Sequence, residues 1–328
     1  MNEILEKFAI EKAILLGVCG ASRMDWLEPV LRSVQTPFVS RDIERRINPR
    51  IIMPSAEGII VIGVGSHAAP PAPEDITLRG RIAGIGANKD YHRTVKTLLE
   101  ELTERLCREK IFEYKIFTDA GQLNERALAV RAGLGFIGKN RSVISKKFGS
   151  FFNIGYMIIG EAEGRFSCLA EAEDEASEAW DEACGAGERT SCFMEAEGKG
   201  TKQENRLPDS SCGDCRRCIE ACPGGALENG FDISRCCSYL TQRKDAPSTD
   251  EMKIMGDWLY GCDICQDCCP FNVGVERCAA DNAYPLLEDC VDITDVEFRR
   301  RYSESSLYWI GAETFRRNAV IASRNRDG

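Results

Sequence analysis

Hydrophobic positions along the chain switch between helical and strand spacing, and the switches mark out its elements. Residues 2–16 carry apolar side chains on one stripe and predict an amphipathic helix. Gly58–Gly65 (GIIVIGVG) is short and wholly apolar, as expected of a buried strand. Asp90 stands where it can cap a helix that carries Val95, Leu98, Leu99, Leu102 and Leu106 on one face. Phe112–Thr118 reads as a strand, Gln122–Ala132 as a helix stopped by Gly133, and Ser150–Gly160 as a further strand. Strands separated by helices predict a layered α/β domain, α+β in the broad sense, over residues 1–160. Residues 211–275 are dominated by cysteine and predict a domain held by metal more than by a core. From about Asp292 the pattern turns helical again, so residues 276–328 are expected to form a helical tail.

Charge changes this picture only in one place. The net charge of −10 over 328 residues is concentrated in residues 161–210, which hold 14 Asp and Glu against 5 Lys and Arg. That stretch reads as an acidic insert or linker, and its Cys168, Cys184 and Cys192 as spare thiols with irregular spacing. The opening MNEILEKF is charged and lacks the apolar core of a secretory leader, and no apolar run approaches bilayer length. Cluster-binding thiols need a reducing compartment, so a cytoplasmic protein without membrane segments is expected.

Ten of the seventeen cysteines fall between Cys212 and Cys269, against two histidines in the whole chain. Cys212, Cys215, Cys218 and Cys222 form C-x2-C-x2-C-x3-C followed by Pro223, the spacing with which bacterial ferredoxins hold [4Fe–4S] clusters. A second, split set comprises Cys236 or Cys237, then Cys262, Cys265 and Cys269, with Pro270 behind it. Two clusters need eight thiolates, and one of the Cys236/Cys237 pair completes eight. Zinc knuckles share the C-x2-C spacing but have no use for the fourth cysteine and its proline. The expected chemistry is electron transfer.

The stretch Phe117–Asn140 is the other candidate site. Gly133, Gly135 and Gly138 match G-x-G-x-x-G, but they follow a helix instead of joining a strand to one, which argues against a dinucleotide site. The loop ending in Gly138, Lys139 and Asn140 still offers backbone to a large flat or anionic ligand. Asp119 follows a strand, where it serves as a helix cap or as a loop-borne catalytic carboxylate. Glu125-Arg126 reads as a surface pair.

These residues carry a resemblance. Cys212–Cys222 with Pro223, RCCSYLT (Arg235–Thr241) and YGCDICQDCCPFN (Tyr260–Asn272) are similar to the cluster domain of epoxyqueuosine reductases. DAGQLNER with AGLGFIGKN, RGRIAGIGANKDYH (Arg79–His92) and RRINPRIIMP (Arg45–Pro54) resemble the same family in the same order, and RRNAVIA (Arg316–Ala322) resembles the opening of its helical repeats. The resemblance implies a nitroreductase-like corrinoid domain, two [4Fe–4S] clusters and cobalamin. It also implies removal of the epoxide oxygen of epoxyqueuosine in tRNA, with Asp119 as proton donor; were Asp119 only structural, Tyr239 or a bound water would be next in line. It selects Cys236 over Cys237 and Cys269 over Cys268, leaving Cys237 and Cys268 as small buried fillers. One cluster is then expected on Cys212, Cys215, Cys218 and Cys269, the other on Cys222, Cys236, Cys262 and Cys265. Gly138, Lys139, Asn140, Ser238 and Tyr239 are expected near the corrin. Neither His67 nor His92 is expected to ligate cobalt.

Departures bear on substrate. Gln122 replaces a usual proline, Gly84-Ile85 an Arg-Tyr pair, and the repeats end after their first turn. Weakly held tRNA is therefore expected, with Arg299, Arg300, Arg301, Arg316 and Arg317 as contacts, and an external donor such as ferredoxin or flavodoxin. The alternatives are a corrinoid reductase with another substrate and a plain electron carrier.

Overall fold

A computed structural model describes residues 1–33, 40–66, 69–119, 122–161, 211–275 and 282–327. His67, the acidic insert and its three cysteines lie outside the described residues. The chain divides into two compact units, one of residues 1–65 and 92–215, the other of residues 66–91 and 216–328. This differs from the linear boundaries at 160, 210 and 275. Non-local pairing is the reason: residues 80–83 bond to the backbone of Asp257, Tyr260, Ala283 and Pro285.

In the first unit, β1 (Leu15–Gly20), β2 (Ala56–Gly65), β7 (Phe152–Glu161) and β4 (Phe112–Thr118) form a four-stranded sheet in the order β1-β2-β7-β4. Every pairing in it is antiparallel. Ile59, Ile60, Val61 and Ile62 of the inner strand β2 are fully buried, as its unbroken apolar run predicts. Helix α1 (Asn2–Glu11) is shorter than expected. Ala13 turns the chain with φ +54, and Leu15 and Leu16 enter β1. An apolar run such as Ile14-Leu15-Leu16 satisfies either period. Helix α2 (Tyr91–Cys107) buries Val95, Leu99, Leu102 and Leu106, while Leu98 is half-buried. Helix α3 begins at Glu125, not Gln122, and ends at Arg131; Asn124 caps it by accepting the Ala127 N–H at 3.0 Å. Its Ala127–Val130 face packs with Ile59, Val61, Tyr156 and Ile158.

In the second unit, β3 (Arg81–Ile82) runs parallel to β8 (Trp258–Tyr260). The C-terminal helices α4 (Asp295–Tyr302) and α5 (Gly311–Asp327) close over this pair. Phe298, Tyr302 and Phe315 meet with ring centroids 5.1–5.4 Å apart. A true apolar core therefore supports the cluster-bearing region, beyond what metal alone was expected to supply. No helix among the described residues is long and apolar enough to cross a membrane.

Candidate active site and cluster ligands

Asp119 sits just past the end of β4 with φ +46, a left-handed backbone that Asp adopts more readily than most residues. It does not cap α3, because Asn124 does. Its Oδ2 lies 3.6 Å from His92 Nε2, an ion-pair distance when the imidazole is protonated. His92 thus contributes to the Asp119 site from the start of α2. Gln122, at the departure from the usual proline, accepts a short hydrogen bond from Arg45 Nε.

Glu125 is not half of a surface pair. Its Oε1 is sealed from solvent and has no hydrogen-bond partner among the described residues. Burial and then the charge of Asp119 push its carboxyl up to about 8, against the opposing pull of the Asp119 backbone N–H, Arg126 and His92. Arg46 Nε and Thr118 Oγ1 are also enclosed without partners among the described residues. Sequence reasoning missed Glu125 because its neighbour Arg126 is exposed and the pair looks like ordinary surface charge. A carboxylate on the first residue of a helix, six positions after a candidate acid, was the only signal.

The glycine-rich stretch leads into a small hairpin, β5 (Phe136–Ile137) with β6 (Val143–Ile144), and not into a helix. Gly135 and Gly138 are required by that hairpin: a Cβ would fall 2.2 Å from the Ile144 carbonyl oxygen and 2.5 Å from Ile144 Cδ1, respectively. Asn140 is buried and its Oδ1 accepts the Ser142 N–H at 3.2 Å, while Lys139 Nζ donates to the Gly213 carbonyl at 2.6 Å.

In the second unit three members of the split set, Cys236, Cys262 and Cys265, act on one another. Cys236 precedes helix α6 (Cys237–Gln242), and Cys262 and Cys265 flank the start of α7 (Ile264–Asp267). Burial pushes the Cys265 thiol up, and the charges of Cys262, Cys236, Asp263 and Cys218 push it further. Burial raises Cys236 likewise, with Cys262 and Cys222 adding to it, while the backbone N–H groups of Tyr239 and Ser238 favour its thiolate. The Cys237 thiol, then burial, raise Cys262, and the Ile264 N–H opposes them. Among the described residues, no three His, Cys, Asp or Glu side chains are close enough to share one metal ion. The thiols act on one another at a wider spacing. Cys212 and Cys215 belong to the first unit, where the Cys215 N–H donates to the Cys212 carbonyl at 3.1 Å.

Cys237 is 2 % exposed and packs with Trp258, and its thiol also meets that of Cys262. Cys268 is only half-buried and sets its thiol against the Cys265 carbonyl at 3.7 Å. Asp263, unremarked in the sequence, is buried and accepts the Gly84 N–H at 2.7 Å. Arg316 is committed to the Ile293 carbonyl and Asp295, and Arg317 to the Asp245 carbonyl, so they brace the fold. Arg299 and Arg300 are exposed.

Known proteins match this arrangement. Residues 46–120 match the family described as "Epoxyqueuosine reductase QueG, DUF1730", and residues 211–272 a "4Fe-4S double cluster binding domain". An epoxyqueuosine reductase from Bacillus cereus is 30% identical over 327 residues, which cover 94% of this chain and 75% of that protein. The chain belongs to the epoxyqueuosine reductase family. A crystal structure of an epoxyqueuosine reductase with a tRNA-Tyr epoxyqueuosine-modified stem loop superposes with TM-score 0.80 at 27% identity, covering 99% of this chain and 81% of that one. The Bacillus subtilis epoxyqueuosine reductase, whose aspartate-bearing catalytic loop is swung out of the active site, superposes with TM-score 0.77 at 26% identity and the same coverage. The double-cluster match carries the electron-transfer chemistry of this family member, and its mixed α/β architecture is that of the solved reductases.

Proposed function

We propose that the protein reduces epoxyqueuosine in tRNA to queuosine. Family membership carries the reading, and the placement of Asp119 beside His92 supports it. The epoxide oxygen leaves as water, so the reaction consumes two electrons and two protons. Cobalamin and two [4Fe–4S] clusters, when bound, supply a strong nucleophile for the epoxide carbon and single-electron storage. The donor chemistry fits both. Buried thiols that raise one another are stable as thiolates only beside positive charge such as cluster iron. The enclosed Arg46 Nε and Thr118 Oγ1 offer polar partners to the carboxamides around a corrin.

Cys222, Cys236, Cys262 and Cys265 hold one cluster in this reading, and Cys212, Cys215, Cys218 and Cys269 the other. The amides of Ser238 and Tyr239 serve the Cys236 thiolate, and Gly138, Lys139 and Asn140 line the corrin in a nitroreductase-like domain. Asp119 gives its proton to the oxygen as negative charge builds there, and His92 orients the carboxyl. Electrons come from a carrier protein such as ferredoxin or flavodoxin, and the reaction takes place in the cytoplasm. The deciding experiment is anaerobic turnover of epoxyqueuosine-containing tRNA by protein loaded with clusters and cobalamin. Queuosine should appear with the loss of one oxygen. Cofactor-loaded protein that leaves the epoxide intact would overturn the proposal.

A further inference from the structure

The stoichiometry of that reaction exceeds what one carboxyl holds. Ring opening takes a proton on oxygen, and expulsion of the oxygen as water takes a second. Asp119 stores one at most.

We infer that Glu125 is the proton store that recharges Asp119 between these two steps. The inference rests on the proposed epoxide reduction. Its basis is the arrangement at the end of β4. Glu125 Oε1 is enclosed and without a partner among the described residues, so this carboxyl is built for a neutral, proton-bearing state. The same carboxyl acts on the backbone N–H of Asp119, which ties it to the residue whose φ is +46.

Four ionisable groups act on or with Glu125: Asp119 from the end of β4, His92 from α2, Arg126 on its own helix and Tyr156 on β7. The Asp119 backbone N–H, Arg126 and His92 favour its anion, and burial with the Asp119 charge outweighs them, so the carboxyl is held up to about 8. Glu125 therefore keeps its proton at neutral pH beside an acid that has just lost one.

In the recharging step the Glu125 O–H bond breaks, and its electron pair stays on the Glu125 oxygen. An O–H bond forms on the Asp119 carboxylate. A hydronium ion from the solvent then gives its proton to Glu125 and is left as water. No electrons move in this exchange; the two consumed by the substrate come from the carrier protein. Glu125 acts through Asp119, so it is a positioning residue and not a catalytic one.

The test uses the full-length holoprotein. Infrared difference spectroscopy of the protonated-carboxyl band, comparing the parent with Glu125→Gln, should show a group titrating near pH 8. That midpoint should fall in Asp119→Asn, which removes the charge that helps to raise it. Single-turnover rates on an epoxyqueuosine stem loop should decline above about pH 8 in the parent. Glu125→Gln keeps the shape and the acceptor for the Asp119 N–H, yet should run at least about 10-fold slower at pH 7 and lose that decline. A midpoint in the ordinary carboxyl range overturns the inference, as does a Gln variant with the parental rate and pH profile. A parent that cannot open the epoxide fails the functional reading and removes the recharging step with it. The titration would still show whether Asp119 and Glu125 share a proton.

Discussion

Asn occupies the left-handed region as readily as Asp, so Asp119→Asn leaves the φ +46 backbone unstrained and removes only the acidic proton. Because Asn124 is the helix cap, no capping contribution confuses the result. The variant is expected to load clusters and cobalamin normally while single-turnover product formation falls about 10²- to 10⁴-fold. Unchanged turnover would take the proton donor away from Asp119. At the cysteines, Cys236→Ser should lose about half of the iron, since it strips one ligand from one of two clusters. Cys237→Ser should keep all of it, because that thiol packs among Trp258 and its neighbours. Iron and acid-labile sulfide assays distinguish the two. Glu125 has a consequence for stability as well. Its folded pKa of about 8 stands above the unfolded value near ~4.3. Across that window the folded protein holds a proton that the unfolded chain has released, so stability falls as pH rises. Glu125→Gln should therefore be more stable than the parent at pH 8, by on the order of 5 kcal/mol, with the gap shrinking to about 1 kcal/mol at pH 5. Urea denaturation at the two pH values reads the difference; a gap that widens at acid pH would mean that the sign is reversed.

Helix α5 shows what one polar side chain does for an element. Asn318 is fully buried and donates to the Thr241 carbonyl at 2.7 Å and the Leu259 carbonyl at 2.8 Å. Those carbonyls belong to α6 and β8, the elements that lead out of Cys236 and into Cys262. Asn318→Ala should cost about 1–3 kcal/mol for each carbonyl deprived of its donor, and should release iron from the holoprotein at lower urea than the parent. Equal iron retention would reduce Asn318 to local packing. Elements with one clear period were legible in the sequence: β2 and the buried stripe of α2 are where the apolar positions put them. The ferredoxin spacing was legible for a similar reason, since it is local. Asn318, Asp263 and Glu125 were not, because each owes its role to a partner or an enclosure that arises only after folding. The α1 boundary failed because apolar residues 14–16 suit helix and strand equally, and Ala13 decides between them by its backbone.

On the scale of the whole molecule, the linear reading of domains breaks down at residues 66–91, whose composition gives no sign that they belong with the C-terminal half. Ile82 is fully buried, and its N–H is bonded to the carbonyl of Ala283. This separation matters on the ribosome. At about 5–20 residues per second, the roughly 200 residues between them take some 10–40 s to appear, during which Ile82 has nowhere to go. Moreover, β8, the strand that receives β3, lies in sequence between Cys236 and Cys262, two of the proposed cluster ligands, so its seat depends on the region proposed to take up iron. Biogenesis of the early segment is thus tied to the metal supply of the late one. Cells starved of iron are expected to accumulate nascent and newly released chains that proteases nick within residues 69–91, as peptide mapping after a short pulse label would show. Iron-replete cells should not, and equal nicking in both would mean that the segment finds its place without the clusters.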